Sequence, residues 1–243
     1  ELSVRMLGDV IEEVDDPTTT ANDTRTTAQI RRTGDLSQPL TVTVRAINPA
    51  NDAPTDQVTL FNPATGTSGV TLIDVVFAIG VDTATLRIDA VDDLLADGRQ
   101  LVLLRAEAVG FTFITDTLDV GDNEVRQLTL TVTGPASVSE AAGLNATNVT
   151  VTRNTPLDSD QLVTLISHDT TELSFTDPAD NTRTNLQRIT VVIPAGQASV
   201  VVSVDAEDDS VFEPISQTVA ISAHATSFFS DTKTIDVQDA NDL

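Results

Sequence analysis

The sequence of 243 residues predicts an all-β protein made of two tandem β-sandwiches. Three observations predict this fold class. Val, Thr, Ile, Leu and Ala dominate the apolar and β-branched positions, which favours strands. Short segments of alternating polarity are separated by clusters of Gly, Pro, Asn and Asp, as in sandwich proteins. The second half of the chain also repeats the first, and we find no convincing helical periodicity.

The repeat is clearest between residues 75–93, "VVFAIGVDTATLRIDAVDD", and residues 191–209, "VVIPAGQASVVVSVDAEDD". These two segments align without a gap and end in a similar acidic turn. Weaker matches extend the alignment in both directions and place Glu13 opposite Glu140. Such internal similarity indicates two copies of one structural unit. We therefore expect domains at residues 1–124 and 125–243, with further copies on both sides in a longer protein.

Strands can be assigned within the repeated segment. In "TATLRIDAV", the alternation places Ala84, Leu86 and Ile88 on one face of a strand. In "ASVVVSV", residues 200, 202 and 204 lie on the equivalent face. The preceding "PAGQAS" predicts a turn in which Gly196 adopts a positive φ. The sequence therefore predicts a turn and a half-buried strand just before each acidic segment.

Composition excludes several classes of function. The formal net charge is −24, shared as −13 and −11 between the two halves, so we expect neither nucleic acid nor anionic lipid as a partner. The chain has no Cys, which excludes disulfides and thiolate metal sites. The longest apolar stretches are too short to span a bilayer, so we expect no membrane insertion of this segment. No nucleophile elbow surrounds a Ser and no phosphate-loop spacing occurs, so we expect no enzyme activity.

Acidic residues recur in turns and at strand ends of both units. In a sandwich such loops gather at two poles, and two carboxylates 4 Å apart repel by about 4 kcal/mol at an effective dielectric near 20. A hard cation can offset this repulsion, and Ca²⁺ accepts six to eight oxygen ligands in flexible geometry. The alternative is a solvated acidic surface, as in proteins adapted to high salt. The candidate ligands are Glu13, Asp92, Asp93, Asp97, Asp122 and Glu124 in the first unit, and Glu140, Asp169, Asp208, Asp209, Glu213, Asp239 and Asp242 in the second.

Several motifs resemble those of the Calx-beta domain family. They are "SVSEAAG" near the start of a unit, "VTRN", "IPAGQAS" before the "DAEDD" turn, then "FEPISQTVAISA" and a closing "TIDVQDAND". The resemblance covers both halves and is stronger in the second. It implies an immunoglobulin-like Greek-key sandwich of about seven strands in each unit. It also implies Ca²⁺ at the pole where the acidic loops meet the end of the unit, with the candidate residues as ligands.

The sequence departs from the family pattern at some ligand positions. Calcium-binding members usually carry another Glu three residues beyond the positions of Asp97 and Glu213, where this chain has Gln100 and Ser216. Where the second unit has Asp169, the first has Asn48. An amide oxygen can bind Ca²⁺ but brings no charge. We therefore expect weak, millimolar sites like those of extracellular modules, and a weaker site in the first unit.

The function that this resemblance implies is a calcium-binding structural or adhesive repeat of a large bacterial surface or secreted protein. Calcium would stiffen the poles and the junction, where Asp122 and Glu124 precede the next strand. Its partners would be calcium ions, neighbouring repeats of the same chain, and a cell-surface or matrix ligand if the array is adhesive. Two alternatives stay open: an accessory non-catalytic segment of a secreted enzyme, and an intracellular calcium-sensing regulatory module.

Overall fold

A computed structural model describes residues 1–15, 17–18, 22–209, 211–212 and 216–240. The chain divides into two compact units, Glu1–Glu124 and Val125–Leu243. Within the described ranges the regular structure consists of strands and one short 3₁₀ helix, which confirms the predicted all-β fold. Two predicted ligands, Glu213 and Asp242, lie outside the described residues.

The first unit is a sandwich of two five-stranded sheets. One sheet has the order β1-β3-β8-β5-β6, and the other has the order β2-β10-β9-β4-β7. Neighbouring strands are antiparallel, except that β2 and β10 are parallel. The strands are β1 (Leu2–Met6), β2 (Val10–Glu12), β3 (Arg25–Arg32), β4 (Leu40–Ile47), β5 (Val58–Asn62), β6 (Thr67–Val70), β7 (Leu72–Phe77), β8 (Thr83–Ala90), β9 (Gln100–Glu107) and β10 (Ile114–Gly121).

The second unit repeats this arrangement with a shorter first sheet. The sheet orders are β11-β13-β17-β15 and β12-β19-β18-β14-β16. A 3₁₀ helix over Glu140–Ala142 follows β12. The strands are β11 (Leu128–Val132), β12 (Ser137–Ser139), β13 (Thr147–Arg153), β14 (Gln161–Ser167), β15 (Leu173–Ser174), β16 (Arg188–Ile193), β17 (Ser199–Ala206), β18 (Gln217–His224) and β19 (Asp231–Gln238).

The first strand of each unit is split between the two sheets, as β1 and β2 or as β11 and β12. Counted once, and apart from β5, β6 and β15, which extend the first sheet beyond β8 or β17, it belongs to a set of seven strands in the described part of each unit. This agrees with the expected seven-stranded immunoglobulin-like sandwich. None of the helical segments that the structure describes has the length and apolar character needed to cross a bilayer.

The predicted alternation fills a separate core in each unit. Leu86 and Ile88 of β8 are buried, and Val202 and Val204 of β17 are buried at the equivalent positions. They face apolar residues of the opposite sheet, such as Phe77 in the first unit. Apolar burial of this kind is the main favourable contribution to the stability of each sandwich.

Each unit also buries one arginine at the end of its second long strand. Arg32 ends β3, and its guanidinium donates hydrogen bonds to the carbonyl oxygens of residues 38, 78 and 81 at 2.8 Å each. Arg153 ends β13 and donates to the carbonyl oxygens of Ser159 at 2.8 Å, Pro194 at 3.3 Å and Gln197 at 3.1 Å. These carbonyls belong to the turns that precede β8 and β17 and to the loops that follow β3 and β13. The arginine therefore closes the pole opposite the one where β8 or β17 ends.

Candidate metal centre

Three strand ends of the first unit meet at one pole. Glu13 follows β2, Asp93 lies in the loop after β8, and Glu124 lies in the loop after β10. The parallel pairing of β2 with β10 sets this arrangement, because the N–H of Glu13 donates to the carbonyl oxygen of Gly121 at 3.1 Å. One carboxylate oxygen from each of Glu13, Asp93 and Glu124 lies within 4.8 Å of the others. These three acids are among the six named from the sequence of the first unit, and their role as ligands stays a prediction.

The carboxyl group of Glu13 is buried. The residue is 5% exposed. Its Oε2 atom is buried and receives no hydrogen bond from any described residue, and the same holds for Oε2 of Glu124 and Oδ1 of Asp97. A buried carboxylate oxygen without a donor loses its water and gains nothing in exchange. The described protein atoms therefore leave these carboxylate oxygens at the pole without hydrogen-bond donors.

Repulsion from neighbouring carboxylates adds to the cost of burying a negative charge on Glu13. Burial is the largest of the effects that raise the pKa of Glu13 from 4.5 to about 8, followed by the negative charges of Asp93, Asp122 and Glu124. Burial also raises the pKa of Asp97 and of Glu124, and neighbouring carboxylates act in the same direction. None of the ion pairs among the described residues involves these five acids. The cluster thus concentrates negative charge that the described side chains do not neutralise.

Asp122 connects the two acidic loops. Its Oδ1 accepts a hydrogen bond from the N–H of Glu124 at 2.7 Å, and its Oδ2 accepts one from the N–H of Gly98. Asp93 fixes its own loop by accepting the N–H of Leu95 at 2.6 Å. These bonds hold the loop after β8 against the loop after β10. Each carboxylate oxygen keeps a second lone pair, so Asp93 and Asp122 can still bind a cation.

Gln57 is a candidate ligand that the sequence analysis missed. It is 7% exposed, and its Oε1 atom is buried without a hydrogen-bond donor among the described residues. Its carbonyl oxygen accepts the N–H of Val91 at 2.9 Å, which places it beside the start of the acidic loop after β8. The charge of the preceding Asp56 contributes to the raised pKa of Asp97, so both residues border the cluster. No signal pointed to Gln57, because an amide carries no charge and the sequence alignment did not cover this segment. Its structural counterpart in the second unit is Glu172, whose carbonyl oxygen accepts the N–H of Glu207.

The other first-unit residues that were considered as ligands contribute less directly to the site. Asp92 is exposed, although its charge raises the pKa of Glu124. Gln100, which stands where the family usually has Glu, donates from Nε2 to the carbonyl oxygen of Asp97 at 3.2 Å. The side-chain oxygen of Asn48 accepts the N–H of Ala50 at 2.9 Å within its own turn. These residues shape the loops and are outside the group of three converging oxygens.

In the second unit the described residues do not bring three of the predicted ligands together in the same way. Glu140 is buried at the position equivalent to Glu13, and Asp239 is half-buried. Asp169 is exposed and accepts the N–H and Oγ1–H of Thr171 at 3.1 and 2.7 Å. Asp208 is exposed, and Asp209 accepts the N–H of Val211 at 2.8 Å. Because Glu213 and Asp242 are outside the described residues, the expectation of a stronger site in the second unit stays a prediction.

Asp205, at the start of the acidic segment "DAEDD", has a structural role. It is 2% exposed, and its carboxylate accepts the N–H of Asn145 and the Oγ1–H of Thr176, both at 2.7 Å. The equivalent Asp89 forms ion pairs with Arg87 at 2.9 Å and Arg25 at 3.7 Å. Nearby groups therefore satisfy this carboxylate in each unit: neutral donors hydrogen-bond Asp205, and arginines form ion pairs with Asp89.

The sequence matches no protein-family profile and no curated protein. The fold is similar to several solved structures at low scores. The calcium binding domain CBD12 of CALX1.1 has a TM-score of 0.32 and 16% identity, over 88% of this chain and 76% of that chain. The apo-form CBD1 domain of Calx has a TM-score of 0.33 and 17% identity, over 51% of this chain and 98% of that one. A beta-glycosidase from Bacteroides vulgatus has a TM-score of 0.32 and 11% identity, over 96% of this chain and 24% of that one. At these scores the similarity assigns neither a ligand nor an activity to this chain.

Proposed function

We propose that the first unit is a calcium-binding β-sandwich module. Its ion is held by Glu13, Asp93 and Glu124, with Asp97, Asp122 and the amide oxygen of Gln57 around it. The observation that carries this proposal is the buried carboxyl group of Glu13, which faces other acids and whose Oε2 atom has no hydrogen-bond donor among the described residues. A buried carboxylate in such surroundings needs a cation or a proton. A divalent cation can contact several carboxylates of the cluster at once, whereas a proton neutralises one.

The donor set favours Ca²⁺. Every candidate donor is an oxygen, and the chain has no Cys. Ca²⁺ accepts six to eight oxygen ligands in flexible geometry, whereas Mg²⁺ requires a near-ideal octahedron and usually keeps several waters. The three carboxylate oxygens come from three separate loops and lie within 4.8 Å of one another, close enough to share one ion.

A calorimetric calcium titration of the chain tests this function. The matched variants are Glu13→Gln and Glu12→Gln, because Glu12 is the preceding residue and carries the same charge. The side chain of Glu12 is 42% exposed and pairs with Arg99 at 3.4 Å, and it is outside the group of three converging oxygens. We expect Glu13→Gln to weaken one class of site by about tenfold or more, and Glu12→Gln to bind as the original chain does. Equal losses in both variants would indicate a solvated acidic surface, and no binding heat or thermal stabilisation in the original chain would exclude the site.

We further propose that the module belongs to an extracellular or cell-surface protein in which repeats of this kind form an extended array. The tandem repeat and the net charge of −24 support this role. Bound calcium would hold the loop at residues 121–124 and so restrict the orientation of the strand that follows. Small-angle scattering should then change from a broad to a narrow distribution of shapes when calcium is added. If the scattering profile does not change at saturating calcium, the ion holds the loops together but does not restrict the strand that follows.

The full-length sequence distinguishes this role from the alternatives. Further repeats behind a secretion signal would support the structural array. A flanking catalytic motif would favour an accessory segment of a secreted enzyme. Flanking membrane-spanning helices with a cytosolic placement of this segment would favour a regulatory calcium sensor.

A further inference from the structure

One edge of the second unit's sandwich is incompletely paired. On one side, β17 pairs with β13 over six residue pairs, from Thr147 opposite Val204 to Thr152 opposite Ser199. On its other side, β17 pairs with β15 at two positions only, Leu173 opposite Ala206 and Ser174 opposite Asp205. Towards its beginning, β17 therefore has no strand partner on that side among the described residues.

The first unit shows what fills this position when it is occupied. There the equivalent strand β8 pairs with β5 at four positions, from Val58 opposite Ala90 to Phe61 opposite Arg87. Strand β6 then covers β5, and Asn62 Nδ2 donates to the carbonyl oxygen of Asp74 in β7 at 3.3 Å. In the first unit β5 thus extends the pairing as far as Arg87, the counterpart of Ser203. In the other unit the chain leaves β17 after Ser174.

The backbone direction of β17 is set by its neighbours. The N–H of Glu207 donates to the carbonyl oxygen of Glu172 on the β15 side, whereas the N–H of Ala206 donates to Gly143 on the opposite side. Because antiparallel strands alternate the direction of their backbone groups, those of Ser203 and Val201 point to the open edge. Unpaired edge groups of this kind are a template for an added strand.

A groove lies along this edge. Its volume is about 580 Å³, and its lining includes residues 190–192 of β16 and 200–203 of β17, together with Pro178 and Ala179 of the intervening loop. Five of the lining residues are Val and the others include Asn145, Thr176 and Asn181, and Val201 is 62% exposed. Backbone donors beside an apolar groove are the two features that a bound β-strand uses, one for affinity and one for side-chain selectivity.

Beyond calcium binding, we propose that the open edge of β17 binds an extended segment of another protein as an added strand, with apolar side chains in the groove and basic residues on its flanks. The basic flanks follow from charge complementarity. The second unit carries a net charge of −11; beside the groove, Asp177 pairs with Arg183 at 2.7 Å and Asp180 is exposed. A second copy of this chain is a poorer occupant, because two molecules of net charge −24 repel each other.

The probe for this site is a fluorescent synthetic peptide that carries the β5 sequence VTLFN between two pairs of lysines. We expect saturable binding to the full chain by fluorescence anisotropy. A control peptide replaces Thr and Phe by proline, which keeps the charge but removes two backbone donors. A second control replaces the lysines by glutamates. We expect both controls to bind at least about tenfold more weakly than the probe.

Variants at Val201 test the position of the site. Val201→Pro removes one edge-facing N–H, and edge strands tolerate proline at such positions. Val201→Thr keeps the donor and the β-branched shape. We expect about a tenfold loss of probe affinity for Val201→Pro and little change for Val201→Thr, with both variants folded by circular dichroism. If Val201→Pro does not fold, the two control peptides on the original chain still decide the question.

Equal binding of the probe and the proline peptide would overturn the proposal, since it would reduce binding to charge alone. Equal binding of the probe and the glutamate peptide would overturn the proposal that basic residues flank the bound segment. Concentration-dependent dimerisation of the original chain that Val201→Pro abolishes, without probe binding, would assign the edge to a second copy instead. None of these results depends on calcium binding by the first unit.

Discussion

The carboxyl groups of Glu13 and Glu124 converge at one pole, and Oε2 of each is buried without a hydrogen-bond donor among the described residues. The strands that precede them, β2 and β10, are parallel neighbours, so the sheet itself carries the two acids to the same end. Without a cation, folding must place these like charges together out of water or bind a proton at Glu13, whose pKa is raised to about 8. The metal-free unit should therefore be sensitive to pH, and its response should differ from that of the calcium-bound unit.

The stability of the metal-free chain should depend on the protonation of Glu13. Its pKa is raised from 4.5 to about 8, so between these values the folded state binds a proton that the unfolded state releases. Stability from this group is then fully present below about pH 4.5 and is lost as the pH rises towards about 8. We expect the melting temperature in chelator to fall more steeply over this window in the original chain than in Glu13→Gln.

The comparison with Glu13→Gln separates the contribution of Glu13 from that of acids whose pKa values are shifted in the opposite direction. The pKa values of Asp35, Asp180 and Asp231 are lowered, so these acids contribute stability that is lost as the pH falls. Glu12→Gln is the control and should keep the slope of the original chain. The interpretation of Glu13 would be wrong if all three proteins gave parallel profiles.

Calcium should stabilise the chain by mass action. An ion that binds only the folded state at about ten times its dissociation constant adds about 1.4 kcal/mol per site. We expect the melting temperature to rise with calcium chloride and to fall with chelator. Sodium chloride at equal ionic strength should have a much smaller effect, because it screens the acids without bridging them. Identical shifts from the two salts would point to screening.

A third prediction concerns the second unit. If its acids form a site, Asp208→Asn or Asp239→Asn should weaken calcium binding by about tenfold, because each removes a charge at a position matched to Asp92 or Asp122. Asp158→Asn is the control, since this exposed acid has no matched position. Isothermal titration separates the two classes of site. Indistinguishable effects of Asp158→Asn and Asp208→Asn would leave the first unit as the calcium site of the chain.

The sequence predicted the sandwiches through two signals that depend on local chemistry. The alternation of residues 84–88 fixed the buried face of β8, and the same spacing recurred in β17. The repeat then placed Glu13 opposite Glu140, and both residues are buried. The split of the first strand could not be predicted, because it depends on how β2 pairs with β10 across a distance of about a hundred residues.

The candidate site was predicted as a set of acids without their burial. Glu12 and Glu13 are neighbours of the same type, yet one pairs with Arg99 at the surface and the other is buried. A shift of one residue in the register of β2 would exchange them. Gln57 became visible only in the structure, because an amide carries no charge signal. Arg153 was quoted within the motif "VTRN", but two of its carbonyl partners, Pro194 and Gln197, come from a turn distant in sequence.

Arg153 should contribute to the stability of the second unit through the carbonyls it satisfies. Its guanidinium reaches three carbonyl oxygens, including Ser159 at 2.8 Å and Gln197 at 3.1 Å. Lysine keeps the charge but lacks the planar fork, so Arg153→Lys should leave at least one buried acceptor unpaired. We expect a loss of about 1–3 kcal/mol in the free energy of unfolding, measured by urea denaturation. The exposed Arg188→Lys is the control and should change stability by less than about 0.5 kcal/mol.

The last prediction uses two glycines at equivalent positions. A Cβ at Gly134 would lie 2.6 Å from the backbone nitrogen of Asn148 and 3.2 Å from the Cα of Thr147. These backbone atoms belong to β13 and cannot rotate away, so Gly134→Ala must displace β11 from β13. A Cβ at Gly8 would instead meet the side-chain oxygen of Thr26 at 3.0 Å, which can change rotamer. Both substitutions gain a similar amount from restricting the unfolded chain.

The difference between them therefore reports the clash. We expect Gly134→Ala to destabilise the second unit by about 1–3 kcal/mol and Gly8→Ala to stay within about 1 kcal/mol of the original chain. Urea denaturation gives the free energies, and amide hydrogen exchange assigns the loss to β11 and β13. A Gly8→Ala variant as unstable as Gly134→Ala would mean that the hydrogen bond from Thr26 Oγ1 to the carbonyl oxygen of Gly8, at 3.1 Å, matters as much as backbone contact. A stable Gly134→Ala would show that β11 can move away from β13 at little cost.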